Sequence, residues 1–193
     1  MKKLLCVVLF MVILAVPMFA QSDMMFGIKG GITMGRISAE APDGVDEKFR
    51  MGFSGGGMMA MELDKNIHLG VELLYVQKGE KWENGGEAEA KIDVIEVPVL
   101  IKFFPIKNMN IYGGPNLNYV MSAKFDTGDT EIDLLDEDLV KNLGFGLSLG
   151  TQYMIDKIVL DARYDIGMSD YSEDEFGDEL KFNTIYLSVG YLF

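Results

Sequence analysis

Beyond residue 20 this 193-residue chain has no cysteine, and it carries one histidine and one tryptophan in all. With Cys6 alone in the first apolar stretch, disulfides are excluded, and so is thiol chemistry in the chain that follows. Basic residues are scarce: 17 Lys and Arg stand against 30 Asp and Glu, a formal charge of −13. Nucleic acid wants a basic face, so that class of partner is excluded. Also missing, past the first residues, is any apolar run near the about 20 residues that a spanning helix needs. If such a chain lives in a membrane it must do so as a closed barrel, the other architecture that satisfies every backbone group internally.

What is present begins with Met1-Lys-Lys, an uncharged run over 4–19, and Ala20-Gln21. A basic start, a short apolar core and a small residue before a polar one describe a secretory signal peptide. It is expected over 1–20, leaving 21–193 as one domain. Met18 stands where a smaller residue usually precedes the cut, and Cys6 lies too early to accept a lipid there. Removing Lys2 and Lys3 with the leader takes the formal charge to −15, since no acid is lost.

The last stretch, Lys181-Phe-Asn-Thr-Ile-Tyr-Leu-Ser-Val-Gly-Tyr-Leu-Phe193, sets the pattern for the rest. Ile185, Leu187, Val189, Tyr191 and Phe193 alternate with Thr184, Ser188 and Gly190, with Tyr186 and Leu192 as exceptions. A period of two means a strand with unlike faces. Eight such segments can be drawn, over 24–34, 50–63, 67–78, 91–104, 110–124, 139–154, 158–168 and 181–193. Tight joints at Asp64-Lys-Asn66, Pro105-Ile-Lys-Asn108 and Asp156-Lys157 alternate with connections of roughly ten residues or more, the asymmetry of outer-membrane barrels. An even strand count then puts both termini and the short turns on the periplasmic side, with the long acidic loops extracellular.

One face of these segments is large and apolar; the other is Gly, Ser, Asn and charge. Eight strands leave an interior only just wide enough for side chains. The glycine-rich face suits that interior and the bulky face suits lipid. The inward set is then Lys29, Arg50, Lys102, Lys124 and Arg163 against Glu62, Glu72, Glu96, Asp161 and Asp165, five of each sign. They can neutralise one another in a filled, narrow core, whereas one charge on the lipid face at mid-depth costs about 2–4 kcal/mol. Pro98 and Pro115 fall within strands, so bulges or missing ladder bonds are expected beside them. The expected fold is all-β: an eight-stranded antiparallel up-and-down transmembrane barrel. Its rival is a soluble lipocalin-like carrier with the two faces reversed.

Five stretches in order over the mature chain carry a resemblance: Gly27-Ile-Lys-Gly-Gly-Ile, Glu72-Leu-Leu-Tyr-Val-Gln-Lys-Gly79, Ile95-Glu-Val-Pro-Val-Leu-Ile-Lys102, Tyr112-Gly-Gly-Pro115 and Asp161-Ala-Arg-Tyr-Asp-Ile-Gly167. They resemble the porin-like outer-membrane beta-barrel domain family of Gram-negative bacteria that includes PorT. The resemblance implies an outer-membrane barrel released from its signal peptide. PorT is associated with a protein-secretion machine, but these motifs describe the barrel and not a partner site. The closing strand is similar to the usual signal for the barrel assembly machinery at Tyr191 and Phe193, with Ser188 where glycine is usual.

Candidate sites are few. His68 could join a nucleophile–His–acid constellation, as in outer-membrane lipid hydrolases, but the sequence puts no serine beside it. The plainer reading is a lone interfacial histidine. Acidic residues crowd 126–138 and 170–179. They could bind calcium or magnesium, or bridge to lipid phosphates, though no calcium-hand spacing is present and solvated caps are the plainer reading. Trp82, in the expected loop 79–90, reads as a girdle aromatic before a partner anchor. No enzyme activity, cofactor or metal is expected. The partners are outer-membrane lipid, the assembly machinery, and a surface or secretion-complex partner of unknown identity. The expected function is structural or binding through the acidic loops; an accessory role in a secretion or uptake complex is the alternative.

Overall fold

The computed structural model describes residues 24–38, 46–83, 87–126, 131–133, 141–171 and 181–193. The expected signal peptide, 1–20, lies outside them. The period-two segments become strands: β1 (Met24–Ser38), β2 (Asp46–Asp64), β3 (Ile67–Glu83), β4 (Glu87–Ile106), β5 (Met109–Asp126), β6 (Glu131–Asp133), β7 (Leu143–Ile155), β8 (Ile158–Gly167) and β9 (Lys181–Leu192). Eight of them pair antiparallel in chain order, and β9 returns to β1 from Gly27↔Leu192 to Ser38↔Lys181, so the sheet closes. The short β6 pairs with the β5 edge beyond the end of the β7 ladder at Tyr119, at Lys124↔Asp133 and Asp126↔Glu131.

Two-residue turns at Lys65-Asn66, Lys107-Asn108 and Asp156-Lys157 join β2 to β3, β4 to β5 and β7 to β8. Asp156 takes the left-handed backbone (φ 55°), which a short polar side chain tolerates. These turns gather at the end where β1 starts and β9 stops, and backbone bonds knit them together. Leu192 N–H donates to Lys157 O (2.8 Å), Phe193 N–H to Phe26 O (2.9 Å) and Met154 N–H to Asn108 O (2.7 Å). We call this the turn end and the opposite one the loop end.

The wall is not of even height. Strands β2 to β5 run 17 to 20 residues and β7 to β9 only 10 to 13. This corrects the expected loop at 79–90. The β3–β4 ladder continues through Gly79↔Lys91 to Glu83↔Glu87, so Trp82 belongs to a strand, paired through its backbone with Glu47 and Ala88. The position of its side chain is outside the described residues. Where both faces of a hairpin carry Glu and Lys, the apolar alternation disappears but the backbone ladder has no need of it.

Outward positions are apolar and open. Leu73 is 59 % exposed, Val189 56 % and Phe53 53 %, while polar partners on the opposite face such as Lys29, Ser148 and Asp161 are buried. This is the lipid-facing sense and the reverse of a soluble carrier. The prolines interrupt rungs without shifting register. The β3–β4 ladder skips from Val71↔Val99 to Leu74↔Glu96 around Pro98, and the β4–β5 ladder skips from Pro98↔Asn116 to Ile101↔Gly113 around Pro115. A true shift occurs higher up, between Asp93 and Val94, and it turns Ala123 inward in place of its neighbour Lys124. Inside, tyrosines lie where glycine removes a side chain: a Cβ at Gly150 would strike the Tyr112 hydroxyl, and one at Gly144 the Tyr171 ring.

Candidate functional site

The inward positions converge on one buried charge network. Lys29, Lys78, Lys102 and Arg163 face Glu72, Glu96, Asp161 and Asp165, and all eight are nearly inaccessible. Lys29 on β1 spans the lumen, its Nζ donating to Glu72 Oε2 of β3 (2.9 Å) and to Asp161 Oδ2 of β8 (2.5 Å). Lys78 Nζ donates to Glu96 Oε2 (2.6 Å) and Asn118 Oδ1 (2.9 Å). Arg163 stands between three carboxylates, with Glu72 at 3.3 Å, Asp165 at 3.7 Å and Glu96 at 3.8 Å, its guanidinium over the Tyr186 ring at 4.5 Å. Two tyrosines tie the carboxylates further: Tyr112 donates to Asp161 Oδ1 (2.6 Å) and Tyr186 to Glu96 Oε2 (2.9 Å). Amides and hydroxyls extend the mesh, Asn118 donating to Asn116 and Asn116 to Ser148 Oγ (both 2.9 Å). A buried charge without a partner costs several kcal/mol, so equal numbers of each sign within ion-pair range are what such a lumen requires.

Seven of the ten expected inward charges are members of this network: Lys29, Glu72, Glu96, Lys102, Asp161, Arg163 and Asp165. The other three are placed elsewhere. Arg50 is part-buried nearer the loop end, where its Nε donates to Glu89 (2.6 Å) and its Nη1 to Lys78 O (2.9 Å). Glu62 is exposed at the turn-end mouth, opposite His68 in the ladder. Lys124 is carried off the inward face by the register shift below it. Lys78 and Glu80 were not foreseen; Glu80 is buried, with Arg36 Nε at 4.0 Å. Among the described residues no group of three or more His, Cys, Asp or Glu side chains is gathered as a metal centre.

Toward the loop end the lumen changes character. Leu74, Val76, Ile92, Val94, Val120 and Phe182 form an apolar cluster with Tyr171 and Tyr186. Tyr171 and Phe182 meet in a tilted contact, 5.0 Å between ring centroids. At the turn end, His68 lies against Phe104 (4.4 Å) beside a cavity of about 20 Å³. Among the described residues no serine lines that cavity. Tyr191 and Phe193 are exposed at the same end, their rings 6.2 Å apart.

Solved barrels superpose on this geometry. Ail, the attachment invasion locus protein of Yersinia pestis, matches at TM-score 0.54 with 18 % identity, over 89 % of this chain and 99 % of its own. Neisserial surface protein A matches at TM-score 0.58 with 15 % identity, over 87 % of this chain and 97 % of its own. At such identities the likeness is one of fold. No curated protein matches the sequence. The family model described as outer membrane protein beta-barrel domain matches residues 19–173, most of the chain, and the chain belongs to that family.

Proposed function

We propose that this outer-membrane β-barrel is a sealed, non-conducting scaffold whose working surface is the acidic loop end. The balanced lumen supports that reading: eight buried charges, four of each sign, pair within it, and an apolar layer stands above them. An eight-stranded wall leaves no room for both this filling and a channel. Purified protein in planar bilayers is expected to give no substantial conductance; steady large channels would overturn the reading.

The proposed orientation places the turn end in the periplasm and the loop end outside. Each tight turn carries one exposed lysine (Lys65, Lys107, Lys157), set between exposed apolar residues such as Leu63, Ile67, Ile106, Ile155 and Ile158. An apolar belt that runs to the turns, topped by lysines, suits a phospholipid boundary where ammonium groups reach phosphates. Surface biotinylation of intact cells tests this. Label is expected on lysines of the loop-end hairpins and not on Lys65, Lys107 or Lys157.

Charge narrows the choice of partner. Ail has been solved with a heparin analogue, sucrose octasulfate. The acids at 126–138 and 170–179 of the present chain would repel such a polyanion, and favour a cationic surface or one bridged by divalent ions. Calorimetric titration with calcium and magnesium tests the bridge; no heat at millimolar ion removes it. Tyr191 and Phe193, exposed beside the closing seam, are the proposed contact for the assembly machinery. An accessory role in a secretion or uptake complex is the second reading; stoichiometric partners after gentle detergent extraction would establish it.

A further inference from the structure

The turn-end mouth contains donor chemistry that neither the seal nor the charge network uses. We propose that it binds one soft monovalent metal ion, Cu(I) or its analogue Ag(I), through His68 and methionine thioethers.

His68 is an inward residue of β3 whose ring is steadied by Phe104 at 4.4 Å. Its Nδ1 is buried without a hydrogen-bond partner among the described residues. Buried polar nitrogens are usually partnered, and this one lies beside a cavity that leaves it open to a ligand. The cavity that His68 lines also receives Met25 of β1, Met58 and Met59 of β2, and Met154 of β7. Methionines from three strands therefore line the same cavity as one imidazole.

Size, softness and charge then select the occupant. About 20 Å³ admits a single atom or water and excludes an organic ligand. Hard cations want several oxygen ligands, whereas thioether sulfur with imidazole nitrogen suits Cu(I). Lys102 also lines the cavity, and its ammonium repels a divalent ion twice as strongly as a monovalent one. Part of that repulsion is offset, since Glu72 lies 4.0 Å from the Lys102 ammonium and Glu62 sits opposite His68 in the ladder. Methionine is flexible enough to turn its sulfur toward an entering ion. Leucine would seal the mouth equally well, without supplying a ligand.

The test uses the mature protein folded in detergent and titrated anaerobically with Cu(I) against a chromogenic chelator. X-ray absorption is then recorded on the complex. One equivalent is expected, with both nitrogen and sulfur around the copper. His68→Phe keeps a ring against Phe104 and removes the nitrogen; Met58→Leu with Met154→Leu keeps the volume and removes sulfur. Each is expected to weaken binding by about tenfold or more, with the heat-modifiable gel shift unchanged. Failure to compete with the chelator, or a copper shell without sulfur, overturns the proposal. So does undiminished binding in both variants, which would assign the ion to exposed methionines such as Met51 and Met121.

Discussion

Around its middle the lumen presents Lys29, Glu72, Glu96, Asp161 and Arg163, each held by partners on other strands. Closer to the loop end β3 and β4 present Leu74, Val76, Ile92 and Val94, packed on Tyr171 and Phe182. The two layers share a wall and are equally closed to water, but different physics holds them. The charged layer gains little net energy from desolvated pairs and would lose much if one member were removed. The apolar layer gains from each area buried and loses in proportion to what is cut away. One layer depends on which strands lie opposite one another; the other resists unfolding by bulk.

Four experiments on the detergent-folded protein separate the layers. Arg163→Met leaves Glu72, Glu96 and Asp165 facing one another without their shared cation. It is expected to cost about 3–5 kcal/mol in urea unfolding. A loss below about 1 kcal/mol would mean that the carboxylates are partnered some other way. Leu74→Ala, at a fully buried apolar site, is expected to cost about 2–4 kcal/mol with no change in salt dependence. A double-mutant cycle on Lys29→Met and Asp161→Asn should return a coupling of about 1–3 kcal/mol. Additive losses would show that the pair does not act as a unit. Arg50→Gln breaks the part-exposed pair with Glu89 nearer the rim and should cost about 0.2–1 kcal/mol, an effect that added salt diminishes.

Much of this barrel is legible in the sequence, because a wall one residue thick between lipid and a wet or charged lumen writes both faces into alternate positions. The segment over 158–168 is a clear case, with Leu160, Ala162 and Tyr164 outward against Asp161, Arg163 and Asp165. The apolar layer was hidden for the same reason. In Leu73-Leu-Tyr-Val76 inward and outward residues are both large and apolar, so no alternation marks which face enters the lumen. Lys78 was missed because it stands just past that run. Lys124 was misplaced because a register shift reverses parity without a sequence marker such as glycine or proline. The longer hairpins went unread because their charges fall on both faces. His68 was visible as a lone histidine, but not its setting, since Met25, Met58, Met59 and Met154 come from three strands that alternation alone does not bring together.

The pairing of β1 with β9 also sets a timetable. Gly27 meets Leu192 and Lys29 meets Gly190, so the first strand waits for the last before its outer backbone groups find partners. Contacts of such long sequence separation form slowly. Until they form, both edges lie open to any extended chain nearby. The seam that makes the finished wall continuous is thus also what leaves the unfinished one sticky, and a chaperone that covers strand edges would matter most in that interval.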